Sequence, residues 1–458
     1  MKKYFSILMA ATMITTAAGC SATGKVNGAS SDSSADEYSS VAAVNDHDVI
    51  ADKSTAAAEG GATFKAGADE LGDAELEHEY SFADDAVADV VMDGAACEEP
   101  SFAGAGEEME PCEPVVEEDY QIKPQAGLLT GGEWRDNDHW NDWVSLYQSH
   151  DEWNDYRELW QVSFENRYEV IVTADGEPVE GAKVTASCGY IKEAVTDNKG
   201  RAYLFFDDCS TDEVHEIKAE YGDVSKSEAV DMESSAKIEI DLGQSEMDGQ
   251  PALELMLMID TTGSMGDELG YIQAELEDVI ERVKSDNGNI PIKLSVNFYR
   301  DEYDEYIVRD FPFTEDISSA IADLAAQRYD GGGDYPEAVH TALTNAVKEH
   351  EWSEDSTKLM FIILDAPPHD DDQIIDEVNA RIADAAARGI RVIPVASSGV
   401  DKATEYLLRT MAFATGGTYT FLTDHSGIGG SHIEPTIGDY QVEKLNDMMV
   451  RIINSYLE

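Results

Sequence analysis

Positive charge is what this 458-residue sequence has least of: 31 Lys and Arg stand against 94 Asp and Glu, a formal net charge of −63 with a pI near 4.1. Phosphate recognition needs clustered cations, so nucleic acid is excluded as a partner class. An anionic membrane surface would repel the folded part as well. Catalytic signatures are also missing. There is no H-E-x-x-H, since His350-Glu351 runs into Trp352-Ser353-Glu354, and no G-x-S-x-G or Walker loop. No enzyme is expected. What is present is 42% hydrophobic and 9% aromatic residues, enough for a real core, over a length that suggests about two to four domains. The natural counter-ions of such a chain are metals, basic proteins or solvent.

Cysteine is scarce too, at five residues, one too many for complete pairing. The first falls at the end of MKKYFSILMAATMITTAAGC, where Lys2 and Lys3 precede an apolar stretch from Phe5 to Met13. That stretch is too short for a stable membrane span and reads as an export signal over residues 1–20. Ala17-Ala18-Gly19-Cys20 resembles a bacterial lipobox, departing from it at position 17, where Leu is usual. The resemblance implies cleavage before Cys20, a diacylglyceryl-modified cysteine, and anchoring to a bacterial cell envelope with the fold outside the cytoplasm. The other reading is an ordinary secretory signal. Four cysteines remain, and the pairs nearest in sequence are Cys97 with Cys112 and Cys188 with Cys209; an exported protein permits these disulfides without forcing either.

Residues 21–125 are rich in Ala, Gly, Ser, Asp and Glu, with 26 acidic and 4 basic side chains. Such a segment cannot bury enough apolar surface to offset its ordering entropy, and is expected to be a disordered acidic spacer. Five of the six tryptophans, at 134, 140, 143, 153 and 160, then crowd into residues 126–165. They have two uses: stacking on sugars, or packing as a partly helical linker or cap on the next domain, which the buried area supplied by aromatics favours. From 166 to 245 come short β-rich runs, Tyr168–Val172, Ala182–Ala186, Ala202–Phe206, His215–Ala219 and Ala236–Ile240, separated by turn signals such as Asp175-Gly176 and Asn198-Lys199-Gly200. Their phrases, G-x-P-V-x-G-A-x-V and T-D-x-x-G-x-A, resemble carboxypeptidase regulatory-like and bacterial Ig-like β-sandwich modules. Such modules are usually spacers or ligand-neutral scaffolds.

From 251 to 458 the pattern alternates strand and helix. Leu253–Ile259 is a near-continuous apolar run, as a strand covered on both faces requires. Further buried strands are expected at Ile292–Tyr299, Leu359–Leu364 and Ile390–Val395, each followed or preceded by helical sequence. This predicts an α/β doubly wound, Rossmann-like sheet, whose ligands bind beyond the carboxyl ends of its strands. Asp260, Thr262 and Ser264 follow the first strand in one loop, and Asp365 leaves a later strand. A set of carboxylates and hydroxyls without Cys or His selects Mg²⁺, Ca²⁺ or Mn²⁺ over zinc or copper.

Asp260-x-Thr262-x-Ser264, together with Phe298-Tyr299-Arg300-Asp301, Gly331-Gly332-Gly333-Asp334-Tyr335-Pro336-Glu337-Ala338 and Leu364-Asp365-Ala366-Pro367-Pro368-His369, resembles the von Willebrand factor type A domain. The resemblance implies a metal-ion-dependent adhesion site in which both hydroxyls ligate the ion and the aspartates act directly or through water. The family usually has a threonine in the glycine loop; aligning Asp334 with it gives a metal set of Asp260, Thr262, Ser264, Asp334 and Asp365. Three carboxylates would hold a cation, most favourably Mg²⁺, while weakening the pull on an acidic partner. His369 is expected in solvent, and Tyr303, Tyr306 and Tyr329 serve either a partner or rim packing. The implied function is a lipid-anchored envelope protein that binds a protein ligand or mediates adhesion. The alternative is an envelope assembly or regulatory scaffold.

Overall fold

The computed structural model describes residues 124–187, 191–206, 216–230, 236–243 and 252–458. The export signal, Cys20, the acidic spacer up to residue 123, and Cys97, Cys112, Cys188 and Cys209 with their two possible disulfides lie outside the described residues.

The tryptophan-rich segment is more than a linker. It opens with strand β1 (Thr130–Trp134), followed by helices α1 (Trp140–Ser149) and α2 (Asp151–Leu159). All five of its tryptophans are buried. Their rings meet edge to face with the aromatic residues of a later helix: Trp143 lies 4.7 Å from Phe413, and Trp153 5.4 Å from Tyr406. Indole N–H groups of Trp143 and Trp160 donate to the carbonyls of Phe164 and Ala403. Those of Trp140 and Trp153 are buried without a partner, and with all five rings enclosed the segment presents no tryptophan face for a sugar.

Residues 167–241 form two four-stranded sheets. In the first, β2 (Arg167–Ala174) pairs antiparallel with β3 (Glu177–Pro178) and with a later strand; β4 (Lys183–Ser187) and β5 (Ile191–Val195) belong to the second. Next come β6 (Arg201–Phe205), which is the other antiparallel neighbour of β2, then β7 (Glu216–Tyr221) and β8 (Val224–Ala229), and β9 (Ala236–Asp241), which runs parallel to β2. Strict alternation puts Tyr168, Val170, Val172 and Ala174 of β2 inward. They share one apolar core with Val184, Ala186, Ile217, Ala219 and Ile240.

The large sheet begins again at β10 (Ala252–Asp260), followed by α3 (Leu269–Asp286), β11 (Ile292–Tyr299) and β12 (Val308–Arg309). Helices α4 (Ile317–Ala326) and α5 (Val339–Thr344) lead to β13 (Ser356–Leu364), and α6 (Asp372–Arg388) to β14 (Ile390–Ala396). Then α7 (Lys402–Ala414), β15 (Tyr419–Leu422), β16 (Glu443–Lys444) and α8 (Leu445–Ser455) complete the chain. The strand order is β12-β11-β10-β13-β14-β15-β1-β16. Strands β11, β10, β13, β14 and β15 are mutually parallel, and β1 runs antiparallel between β15 and β16. The sheet therefore does not start at 251: it recruits a strand from before the two small sheets.

Helices cover both faces, which is why β10 is apolar at nearly every position. Met256 and Met258 join one core with Leu343, Val378 and Met411 from α5, α6 and α7. Leu255, Leu257 and Ile259 point the other way, to Leu276, Leu324 and Ile452 from α3, α4 and α8. The buried carboxylate of Glu275 on α3 accepts the backbone N–H groups of Gly127, Leu128 and Leu129, fixing the chain just ahead of β1.

Candidate functional site

Two neighbouring parallel strands, β10 and β13, end side by side, and the connections leave them in opposite senses because β11 lies on one side of β10 and β13 on the other. Such a reversal opens a crevice at the carboxyl edge of the sheet. Asp260 is the last residue of β10 and Asp365 the first after β13. Both are buried. One oxygen of Asp260, Oδ1, accepts the Thr262 N–H at 2.8 Å and the Thr262 hydroxyl at 2.7 Å; the Thr262 and Ser264 hydroxyls stand 3.1 Å apart. Asp260 Oδ2 and Asp365 Oδ1 are buried without a hydrogen-bond partner. Ser264 and Asp365 line the crevice together with Tyr335, Glu337, Ser398 and Ser431.

Asp334 lies on the exposed rim of the same crevice. Its side chain is exposed where those of Asp260 and Asp365 are buried, and among the described residues no three His, Cys, Asp or Glu side chains converge as a metal cluster, whether the third is Asp334 or Glu337. The buried carboxylate of this loop is Glu337 instead, which the sequence reading passed over. It is only 2% exposed, and its Oε2 has no partner. Its N–H donates to the Pro367 carbonyl at 2.9 Å, tying the glycine loop to the segment after Asp365. Gly331 and Gly332 have φ of +83° and +73°, where a side chain is strained. A Cβ on Gly332 would sit 3.0 Å from Glu337 Oε1 and 3.4 Å from the Thr262 Cβ, so the Glu337 carboxylate reaches the neighbourhood of Thr262. The only sequence signal for this was an acidic residue directly before a helix in a glycine-rich loop.

Burial raises the Asp260 carboxyl above its usual range, and the Asp365 charge raises it further. Burial likewise raises Asp365, offset in part by a hydrogen bond from Ser264. Glu337 is pushed up to about 9, first by burial and then by Asp260, Asp301 and Asp365. Carboxyls that repel each other and are stripped of water by burial take up protons or a cation. The oxygen donors of Asp260, Thr262, Ser264 and Asp365, with Glu337 alongside, fit a hard divalent ion completed by water.

The surrounding loops are also fixed. Asp304 accepts the N–H groups of Asp301 and Gly332. His369 is bonded to Asp301 at 2.9 Å, so it is not a free loop residue as expected from its acidic neighbours. Tyr306 is a packing residue: its hydroxyl meets Thr261 Oγ1 at 2.8 Å, and Arg300 and Arg309 lie over its ring. Tyr303 and Tyr329 are exposed. On the far side of the crevice His432 is held between Glu268 and Asp424, 2.8 Å from each.

Comparison with known proteins meets this geometry at the same residues. Residues 254–433 match the model of the von Willebrand factor A domain, and the chain is thus one that contains such a domain. A putative ariadne-like RING finger protein of Acanthamoeba polyphaga mimivirus is 29% identical over 196 residues, which is 38% of this chain and 19% of that relative. The chain spans about a fifth of the length of this relative.

Proposed function

We propose that the von Willebrand factor A domain binds one divalent cation, Mg²⁺ ahead of Ca²⁺ or Mn²⁺, at a metal-ion-dependent adhesion-type site, and uses the loaded site to bind protein. Asp260, Thr262, Ser264 and Asp365 hold the ion, and Glu337 supplies the further carboxylate that the sequence reading had assigned to Asp334. The observation that carries this is the set of buried carboxylate oxygens on Asp260, Asp365 and Glu337 that have no hydrogen-bond partner. A buried carboxyl oxygen without a partner is costly, and ordinary fold stability gives no reason to keep several at one edge of the sheet.

The wider reading is an exported, non-enzymatic lipoprotein. Cys20 carries the lipid, residues 21–125 space the fold from the membrane, and the two small sheets form a carboxypeptidase regulatory-like or Ig-like sandwich. Its partner is an extracellular or envelope protein, for adhesion or for assembly of an envelope complex. To test it, the mature chain is immobilised and challenged with envelope and external protein fractions in Mg²⁺, in chelator, and as Asp260→Ala. Capture present only in Mg²⁺ and lost in the variant supports the reading, with external ligands favouring adhesion and same-cell ligands favouring assembly. Equal capture in chelator would overturn it.

A further inference from the structure

The loops around Asp260 and Asp365 are far more acidic than holding one cation requires. Residues 260–268, 300–306, 329–337, 365–372 and 397–401 carry fifteen Asp and Glu and a single Lys or Arg, Arg300. That cation is turned inward: Arg300 is 4% exposed, and its Nη2 donates to the Arg328 carbonyl. The five loops form one face. The ring of Tyr329 lies against Gly266, Gly332 donates to Asp304, Glu337 donates to Pro367, and the Tyr335 hydroxyl donates to the Gly399 carbonyl while accepting the Asp401 N–H. Two buried, unpartnered oxygens, Asp365 Oδ1 and Glu337 Oε2, belong to side chains that line the crevice at its centre.

Aromatic residues mark the same face. Tyr303, Tyr329 and Tyr335 are 94%, 53% and 44% exposed, and among the described residues they are the exposed Tyr, Trp and Phe side chains. Tyr329 and Tyr335 also tie loops together, but folding gains little from Tyr303 in water, and tyrosines are enriched where proteins meet.

We infer that this face docks a basic segment of a partner protein, with Lys and Arg side chains over the exposed tyrosines and between the rim carboxylates. The inference rests on the proposed protein-binding role of the crevice and names the chemistry of its partner. Five of the fifteen, Asp260, Glu268, Asp301, Glu337 and Asp365, are buried, and the ten that remain give the rim a negative field that steers cations in and opposes carboxylates. A guanidinium or ammonium over a tyrosine ring adds a contact that a carboxylate cannot make.

The probe is a fluorescein-labelled peptide, (Arg-Gly-Lys-Ser)₃, titrated with the mature chain in Mg²⁺ by anisotropy, beside its acidic counterpart (Glu-Gly-Asp-Ser)₃. Four proteins are compared: wild type, Tyr303→Ala with Tyr329→Ala, Glu302→Gln with Glu305→Gln, and, as a charge-matched control on β7 and β8, Glu220→Gln with Glu228→Gln. The basic peptide should bind wild type and lose about fivefold to tenfold in affinity with either rim pair, while the control pair changes it by less than about twofold. Preferred binding of the acidic peptide, equal loss in the control, no effect of the tyrosine pair, or no binding of the basic peptide would each overturn the inference. Calorimetric titration of Mg²⁺ into the same proteins separates it from the metal reading. Metal heat retained without basic-peptide selectivity sinks the docking inference alone; selectivity retained without metal heat sinks the metal reading alone.

Discussion

Asp136 and Arg409 lie 273 residues apart in sequence and meet as a two-point ion pair, Nε to Oδ2 at 3.0 Å and Nη2 to Oδ1 at 2.6 Å, with both side chains 1% exposed. Arg409 also reaches Glu405 and the Thr436 carbonyl, and its guanidinium lies over the rings of Trp143 and Trp153. The tryptophan-rich segment is thus locked to α7 by a buried charge inside an aromatic cage. Removing one partner of a buried pair leaves the other uncompensated, at a cost of about 3–5 kcal/mol. Asp136→Ala should therefore lower the denaturant midpoint strongly without changing the slope, as measured by chemical unfolding followed by tryptophan fluorescence. An effect below about 1 kcal/mol would show that Glu405 alone satisfies the arginine.

Glu337 and Asp334 are separable by metal affinity. Calorimetry should find one Mg²⁺ site, absent in Asp260→Ala and weakened at least about tenfold in Glu337→Gln. Asp334→Asn, on the rim, should change affinity by less than about threefold. The reverse order would restore Asp334 to the metal set.

The same carboxyls give the fold a pH dependence of known sign. Asp260, Asp365 and Glu337 are raised above their unfolded values, so the metal-free fold holds protons that the unfolded chain releases. Stability without metal then falls as pH rises from the ordinary carboxylate range toward about 9, the value for Glu337. A divalent ion relieves that repulsion and competes with those protons. The rise in Tm caused by Mg²⁺ should thus be larger at pH 8 than at pH 5.5, by about 5 °C at saturating ion. Differential scanning calorimetry with and without chelator at both pH values decides it; an equal gain at both would contradict the assignment.

His432 carries the same sign for a different reason. Burial pulls its pKa down, but hydrogen bonds to Glu268 and Asp424 outweigh burial and raise it. Its contribution is fully present below the unfolded value near 6.5 and lost as pH rises through the raised one. Hydrogen exchange, corrected for intrinsic rates, should show residues 424–432 losing protection as pH rises through that window. His432→Ala should be poorly protected at every pH. Unchanged protection in the variant would mean that the His432 N–H bond to Asp424 and backbone packing hold the segment by themselves.

Much of the parallel sheet was legible because burial on both faces leaves a plain trace: Leu253–Ile259 has no polar residue except Glu254, whose carboxylate is taken up by Ser353, Ser356 and Lys293. Asp260, Thr262 and Ser264 were legible because a polar triplet follows that run directly. The burial of Glu337 was not, since it follows a loop with two positive-φ glycines in which Asp334 stays exposed. Strand β1 was hidden for a related reason. Its Gly131 and Gly132 have no side chain to pattern, and each is needed because the carbonyl or ring of Phe421 occupies the space of a Cβ, at 2.7 and 2.5 Å. Strand β8 carries mostly polar side chains, and the apolar residues of β5 do not alternate; both are specified by pairing with β7 and β4 rather than by apolar alternation.

Because β1 enters the large sheet before the two small sheets are made, those sheets are an insertion and not a link in series. Tension arriving from the amino-terminal side first meets the three backbone bonds to Glu275 and then the β1 ladders to β15 and β16. From there the load passes through the large sheet to the crevice, and the small sheets hang beside that path unstretched. A pull between the amino-terminal side and a docked partner would therefore be borne by the large sheet itself, entering it through the five-residue strand Thr130–Trp134.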